Sequence, residues 1–172
     1  MAKEALAYEV RLAREEDYQK IIDILNAAIS ERRYTALLTP VSIVGRAEWF
    51  RAHQDGIHPI YVAQDTQSGE VMGWMAVNAY RSGREAFAKS CEISYYIAPE
   101  FRGRGVGTAL MDRVIAESRS KGLKNLMAVI FADNQGSLKL ARNHGFEPWG
   151  KFPGIVEIDG RQTDCYQMGL KL

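Results

Sequence analysis

Apolar side chains recur along this chain at two spacings, and each switch between them marks a new element. Tyr8, Val10 and Leu12 alternate with Glu9 and Arg11, so Tyr8–Leu12 reads as a first strand. From Asp17 to Arg33 the spacing lengthens. Tyr18, Ile21, Ile22, Leu25, Ala28 and Ile29 fall on one helical face, behind the acids Glu15, Glu16 and Asp17 at the dipole's positive end. Ser42–His53 reads as a shorter helix carrying Trp49 and Phe50. Ile60–Ala63 and Val71–Val77 read as strands joined by a turn over Asp65–Gly69, and Glu92–Ile97 as the next strand. A helix then presents Val106, Leu110, Met111, Val114 and Ile115 on one face and stops near Lys121, with Gly122 suited to the position after its cap. Leu126–Phe131 is a strand and Asn134–Asn143 a helix that ends at Gly145. Val156–Arg161 turns at Asp159-Gly160 into a last strand that runs to Leu170. The expected fold class is α/β, with about seven strands in a mixed sheet and about four helices, in a single domain spanning 1–172.

Composition narrows the function. Lys and Arg number 22 against 21 Asp and Glu, and a net charge of +1 argues against a nucleic-acid partner. No apolar run is long enough for a membrane span, and Met1–Tyr8, with Lys3 and Glu4 but no apolar core, does not read as a secretory signal. Cys91 and Cys165 have neither metal nor disulfide spacing and lie in strand-like runs. They read as buried small hydrophobes, which suits a reducing, cytoplasmic location. His53, His58 and His144 are scattered, and His144 sits where a helix end favours a cation, so no metal is expected.

The chemistry concentrates after the Glu92–Ile97 strand. Arg102-Gly103-Arg104-Gly105-Val106-Gly107-Thr108 places three glycines and two arginines at a strand-to-helix turn. Glycine lets backbone approach a ligand, and a helix start aims unpaired N–H groups at an anion. No Gly-Lys-Ser/Thr ending marks a Walker loop, and Thr108 stands where a dinucleotide fingerprint needs glycine. The run Arg102-x-x-Gly105-x-Gly107 resembles the pyrophosphate loop of the GNAT superfamily of acetyl-CoA-dependent N-acetyltransferases, Arg/Gln-x-x-Gly-x-Gly/Ala. The order of elements agrees with that superfamily. The resemblance implies a central, mostly antiparallel sheet whose strands splay apart where the cofactor lies.

Within the superfamily, Glu92-Ile93-Ser94-Tyr95-Tyr96-Ile97-Ala98-Pro99 is similar to the corresponding strand of the phosphinothricin and methionine sulfoximine N-acetyltransferases. Asn134-x-x-Ser137-x-x-Leu140 matches their helix start, and His144-Gly145-Phe146, Gly150–Gly154 and Asp159-Gly160-Arg161 resemble their C-terminal segment. The resemblance implies acetyl-CoA as cosubstrate, a small-molecule amine as acceptor and the option of a homodimer. Acetyl-CoA would lie against Tyr96, Ile97 and Ala98, its pyrophosphate on Arg102, Gly103, Arg104, Gly105, Val106, Gly107 and Thr108, with Asn134 and Ser137 beside it. An N–H near Tyr96 and Ile97 would polarise the thioester carbonyl.

An amine is mostly protonated at neutral pH, so acetyl transfer needs a base. Glu92 matches the superfamily's acid at that position, and strand alternation puts Glu92, Ser94 and Tyr96 on one face. Its plain alternative is a salt-bridged strand residue. Asn134 has a second reading as a helix N-cap. Ala141 stands where many members carry a Tyr that protonates the leaving thiolate, so no general acid is assigned. Arg81 falls where the family places an arginine against the acceptor's carboxylate, with an exposed surface arginine as the alternative. Glu31–Thr39 is expected to roof the acceptor pocket. The reading is an N-acetyltransferase for an amino-acid-like acceptor. A polyamine, aminoglycoside or protein N-terminus as acceptor, or a non-catalytic acyl-CoA-binding module, remains the alternative.

Overall fold

The computed structural model describes residues 7–172, so most of the N-terminal stretch read above lies outside the described residues. Seven strands form one sheet: β1 (Tyr8–Leu12), β2 (Ile60–Asp65), β3 (Val71–Ala79), β4 (Ser90–Ile97), β5 (Asn125–Phe131), β6 (Glu147–Ile158) and β7 (Arg161–Lys171). Their spatial order is β1-β2-β3-β4-β5-β7-β6, and β4–β5 is the parallel pair in an otherwise antiparallel sheet. Four helices, α1 (Tyr18–Ser30), α2 (Ala47–Ala52), α3 (Val106–Ser120) and α4 (Gln135–Asn143), cover it from both sides. This is the mixed α/β architecture the pattern implied.

The two faces have separate cores. Leu110, Met111 and Val114 of α3 and Leu138 of α4 pack with Met75, Ile93, Leu126 and Ala128 on one face. Ile21, Ile22 and Leu25 of α1 and Phe50 of α2 pack with Val62, Trp74 and Ala76 on the other. β3 is therefore buried on both sides, which explains its unbroken run from Val71 to Val77. Cys91 and Cys165 are buried and unpaired, and burial pushes the Cys91 thiol up to about 11.

Several boundaries differ from the expectation, and the main differences have local reasons. The first helix ends at Ser30, not Arg33, because Arg32 turns into the left-handed region (φ 55°). At its other end, Asp17 belongs to a 3-10 turn and its carboxylate bonds Arg11 at 2.7 and 2.8 Å and the Arg14 N–H at 2.7 Å. Desolvation pushes the Asp17 carboxyl up, but those bonds and the Arg11 charge outweigh it and hold it below its ordinary value. The second helix is a 3-10 turn at Val44–Arg46 followed by the short α2, since Ile43, Val44 and Gly45 are poor helix formers. β6 begins at Glu147, well before Val156. Pro148 and Pro153 are tolerated because β6 is an edge strand, and register shifts fall at Pro148/Gly150 and Phe152/Val156.

Candidate active site

β4 stays paired with β3 as far as Gly73↔Ile97. Its pairing with β5 ends at Glu92↔Met127, after which β5 follows β7 to Phe131↔Cys165. The two strands thus diverge from Glu92 onward and leave facing edges on either side of a cleft of about 770 Å³. Ile93–Ile97, Ala128–Phe131, the start of α3 and the first turns of α4 line it.

Glu92 stands at the apex of this divergence. Its carboxyl is pushed up by burial alone, with no charge or hydrogen bond among the described residues opposing the shift. The salt-bridge reading of Glu92 is therefore set aside. Asn78 braces the strand around it, donating through Nδ2 to the Glu92 carbonyl at 3.0 Å and to Ser94 Oγ at 3.2 Å. Tyr96 packs with the α1–α2 core while Ile93, Tyr95 and Ile97 pack toward α3 and α4, as alternation implied.

At the open end, Gly105 caps α3 in the left-handed region (φ 85°) and supplies no side-chain cap. The first N–H groups of α3 therefore have no intrahelical partner, a chemistry that fits the phosphates of an acyl-CoA. A Cβ on Gly107 would meet Leu140 Cδ2 at 3.1 Å, so glycine also lets α3 start close against α4. Asn134 is the N-cap of α4, accepting from the Ser137 N–H at 3.1 Å, and both line the cleft.

Not every expected side chain reaches the cleft. Ala98 and Val106 are core residues, 3% and 1% exposed. Arg104 lies over the Phe101 ring and does not line the cavity. Arg102 does line it, but its guanidinium is engaged by the Glu31 carboxylate at 2.8 and 2.5 Å and by the Ile97 carbonyl at 3.1 Å. Arg81 is not brought to the site within this chain: it is exposed on the β3–β4 turn, over the Tyr80 ring, with φ 51°. Ala141 is fully buried and carries no acid.

Arg33, Tyr34, Thr35 and Ala36 border the cavity, from the segment expected to roof it. Lys139 and Asn143, one turn apart on α4, also line it. Their spacing of three and four residues from Gly136 through Lys139 to Asn143, which puts all three on one helix face, was the available signal, and the family motif leaves both side chains unspecified.

Residues 18–146 match the Acetyltransferase (GNAT) family, which spans both diverging strands, the glycine loop and the start of α4. The chain belongs to the GNAT acetyltransferases. It is 40% identical over 163 residues, 95% of this chain and 98% of the relative, to YwnH of Bacillus subtilis (strain 168), whose name assigns it provisionally to the phosphinothricin acetyltransferases. It is 33% identical to the L-methionine sulfoximine/L-methionine sulfone acetyltransferase of Pseudomonas paraeruginosa (strain DSM 24068 / PA7), across 97% of this chain and 96% of that one. Among solved structures, the GNAT superfamily phosphinothricin acetyltransferase of Sinorhizobium meliloti in complex with acetyl-CoA superposes with a TM-score of 0.90, at 30% identity, covering 96% of this chain and 88% of that one. Membership identifies the chain as an enzyme, an N-acetyltransferase.

Proposed function

We propose that this single domain transfers acetyl from acetyl-CoA to the amino group of a small amino-acid-like acceptor of the phosphinothricin or methionine sulfoximine type. The observation that carries this reading is the unpaired, half-buried carboxylate of Glu92 at the apex of the β4–β5 divergence. Acetyl-CoA enters with its pyrophosphate on the N–H groups that start α3 and its pantetheine along the facing edges of β4 and β5. Glu92 takes one proton from the acceptor's ammonium group, the amine attacks the thioester carbonyl, the C–S bond breaks to release the CoA thiolate, and the second proton that the nitrogen sheds as the amide forms goes to that thiolate. A β4 N–H near Tyr96 and Ile97 steadies the carbonyl oxygen. No side-chain acid is assigned to the thiolate. A thiol of ordinary pKa near about 8.5 leaves without one.

The relatives' names support an amino-acid-like acceptor. The test is an acceptor panel followed by release of free CoA thiol. Phosphinothricin, methionine sulfoximine and methionine sulfone are expected to turn over faster than spermidine, an aminoglycoside or a histone-tail peptide. Equal rates across the panel would overturn the acceptor class, and no thiol release with any amine would favour a non-catalytic acyl-CoA-binding module.

A further inference from the structure

Beside the main cleft, on the Glu92 face of β4, lies a smaller hollow of about 70 Å³ between α1, α2 and the sheet. Ser94 and Tyr96 line both spaces, so the hollow opens onto the place where an acceptor must meet Glu92. Its walls are tied together by hydrogen bonds and ring contacts. Trp74 donates its indole N–H to the Ile21 carbonyl at 3.1 Å, and Trp49 donates to Asn78 Oδ1 at 3.2 Å and meets Trp74 edge-on at 5.7 Å.

One cation faces this hollow. Arg46, half-buried at the start of α2, lies 5.8 Å from the Trp49 ring centroid and close enough to the Tyr96 phenol for its charge to act on it. Of the other arginines around the site, Arg102 is matched by Glu31, Arg161 by Asp133 and Arg32 by Asp159, while Arg33, on the main cleft, lies over the Tyr34 ring and donates to the Asp133 carbonyl. The nearby Glu48 is bound to Arg51. Among the described residues the Arg46 guanidinium has no carboxylate and no hydrogen-bond acceptor. A half-buried guanidinium held beside an aromatic wall with its donors unused has the chemistry to take an anion.

Distance decides which acceptor group it takes. Ser94 and Tyr96 lie two and four residues from Glu92, which at a strand rise of about 3.3 Å per residue is roughly 7–13 Å. An α-carboxylate lies only about 3 Å from its own amine, by ordinary bond lengths, so an amine held at Glu92 keeps it at that end of β4, away from the Tyr96 end where Arg46 acts. A side-chain acid several bonds further out can reach that end. Resting on the proposed acceptor class, we infer that Arg46 binds the side-chain anion of the acceptor and selects amino acids with an anionic side-chain end, such as a phosphinate, over neutral isosteres.

The test compares phosphinothricin, whose side chain ends in an anion, with methionine sulfone, whose side chain is neutral. In the parent, kcat/KM should favour phosphinothricin. Arg46→Gln should lower kcat/KM for phosphinothricin about tenfold or more, mainly through KM, the scale of a lost charge-assisted hydrogen bond. It should leave methionine sulfone within about twofold and calorimetric acetyl-CoA affinity unchanged, which also shows that the variant is folded. Arg46→Lys should recover part of the phosphinothricin rate. Equal losses on both acceptors, no loss on either, or a selective loss in Arg81→Gln instead would overturn the assignment of Arg46. A parent preferring methionine sulfone would overturn it as well. A parent inactive toward every amine would instead overturn the proposed function on which the inference rests.

Discussion

Glu92 is the residue on which the proposed chemistry turns, and its surroundings suit a base. Burial raises its carboxyl above the ordinary range, toward the pH at which it must accept a proton. Glu92→Gln is expected to keep acetyl-CoA affinity and to lower kcat by about 100-fold, the common scale for a lost general base. The parent's rate should fall as pH drops through the raised value, and the variant's deficit should shrink at high pH, where free amine is abundant. A variant matching the parent at neutral pH and saturating substrate would make Glu92 structural. The same shift acts on stability with the opposite sense to a salt bridge. Between the ordinary and raised values the folded state holds the proton more tightly, so this group costs stability as pH rises through that window. Arg102 teaches a different lesson at this scale: its identity was legible in the motif, but its partner was not. Glu31 is 71 positions away in sequence, and only folding brings its carboxylate to the guanidinium.

At the scale of the element, the glycine loop and α3 work as one unit. Gly105 holds a left-handed φ of 85°, which a β-branched residue rarely adopts, and its Cβ would approach the Tyr8 hydroxyl to 3.4 Å. Gly105→Val should therefore tilt the first turn of α3 and misaim its N–H groups. The expected result is a rise of about tenfold or more in the acetyl-CoA dissociation constant, roughly 1.4 kcal/mol, by calorimetry. Unchanged affinity in a folded variant would remove the loop from the cofactor site. The elements that resisted reading share a cause. β6 carries two prolines that normally argue against a strand, and only its place at the sheet edge excuses them. The run just before α2, Ile43-Val44-Gly45, carries β-branched residues and a glycine, which weaken the helical pattern the spacing suggested.

At the scale of the whole molecule, the divergence of β4 and β5 divides the sheet into two halves joined by three register pairs, Ser90↔Asn125, Cys91↔Leu126 and Glu92↔Met127. A ligand laid along both free edges would bridge those halves. Acetyl-CoA at about 100 times its dissociation constant should add about 2.7 kcal/mol, raising the melting temperature by roughly 5–10 °C for a chain of this size. Hydrogen exchange should slow at Ile93–Ile97 and Ala128–Phe131 together. A thermal shift without slowed exchange at those two edges would place the cofactor elsewhere, and no shift at saturation would mean that the folded chain does not bind it.

Seen at this scale, the local and the global parts of the structure separate cleanly. Apolar periodicity, the Asp159-Gly160 turn and the Arg102–Thr108 loop were readable because each depends on neighbours a few positions apart. They determined the order of elements, the family resemblance and the place of Glu92. Which carboxylates lack partners, that Arg102 is already matched, that Arg81 stands outside the cleft and that Arg46 faces the acceptor side were decided only by tertiary structure. Those facts depend on α1, α2 and β4 meeting across long sequence separations, and burial and charge pairing are properties of that meeting rather than of any segment.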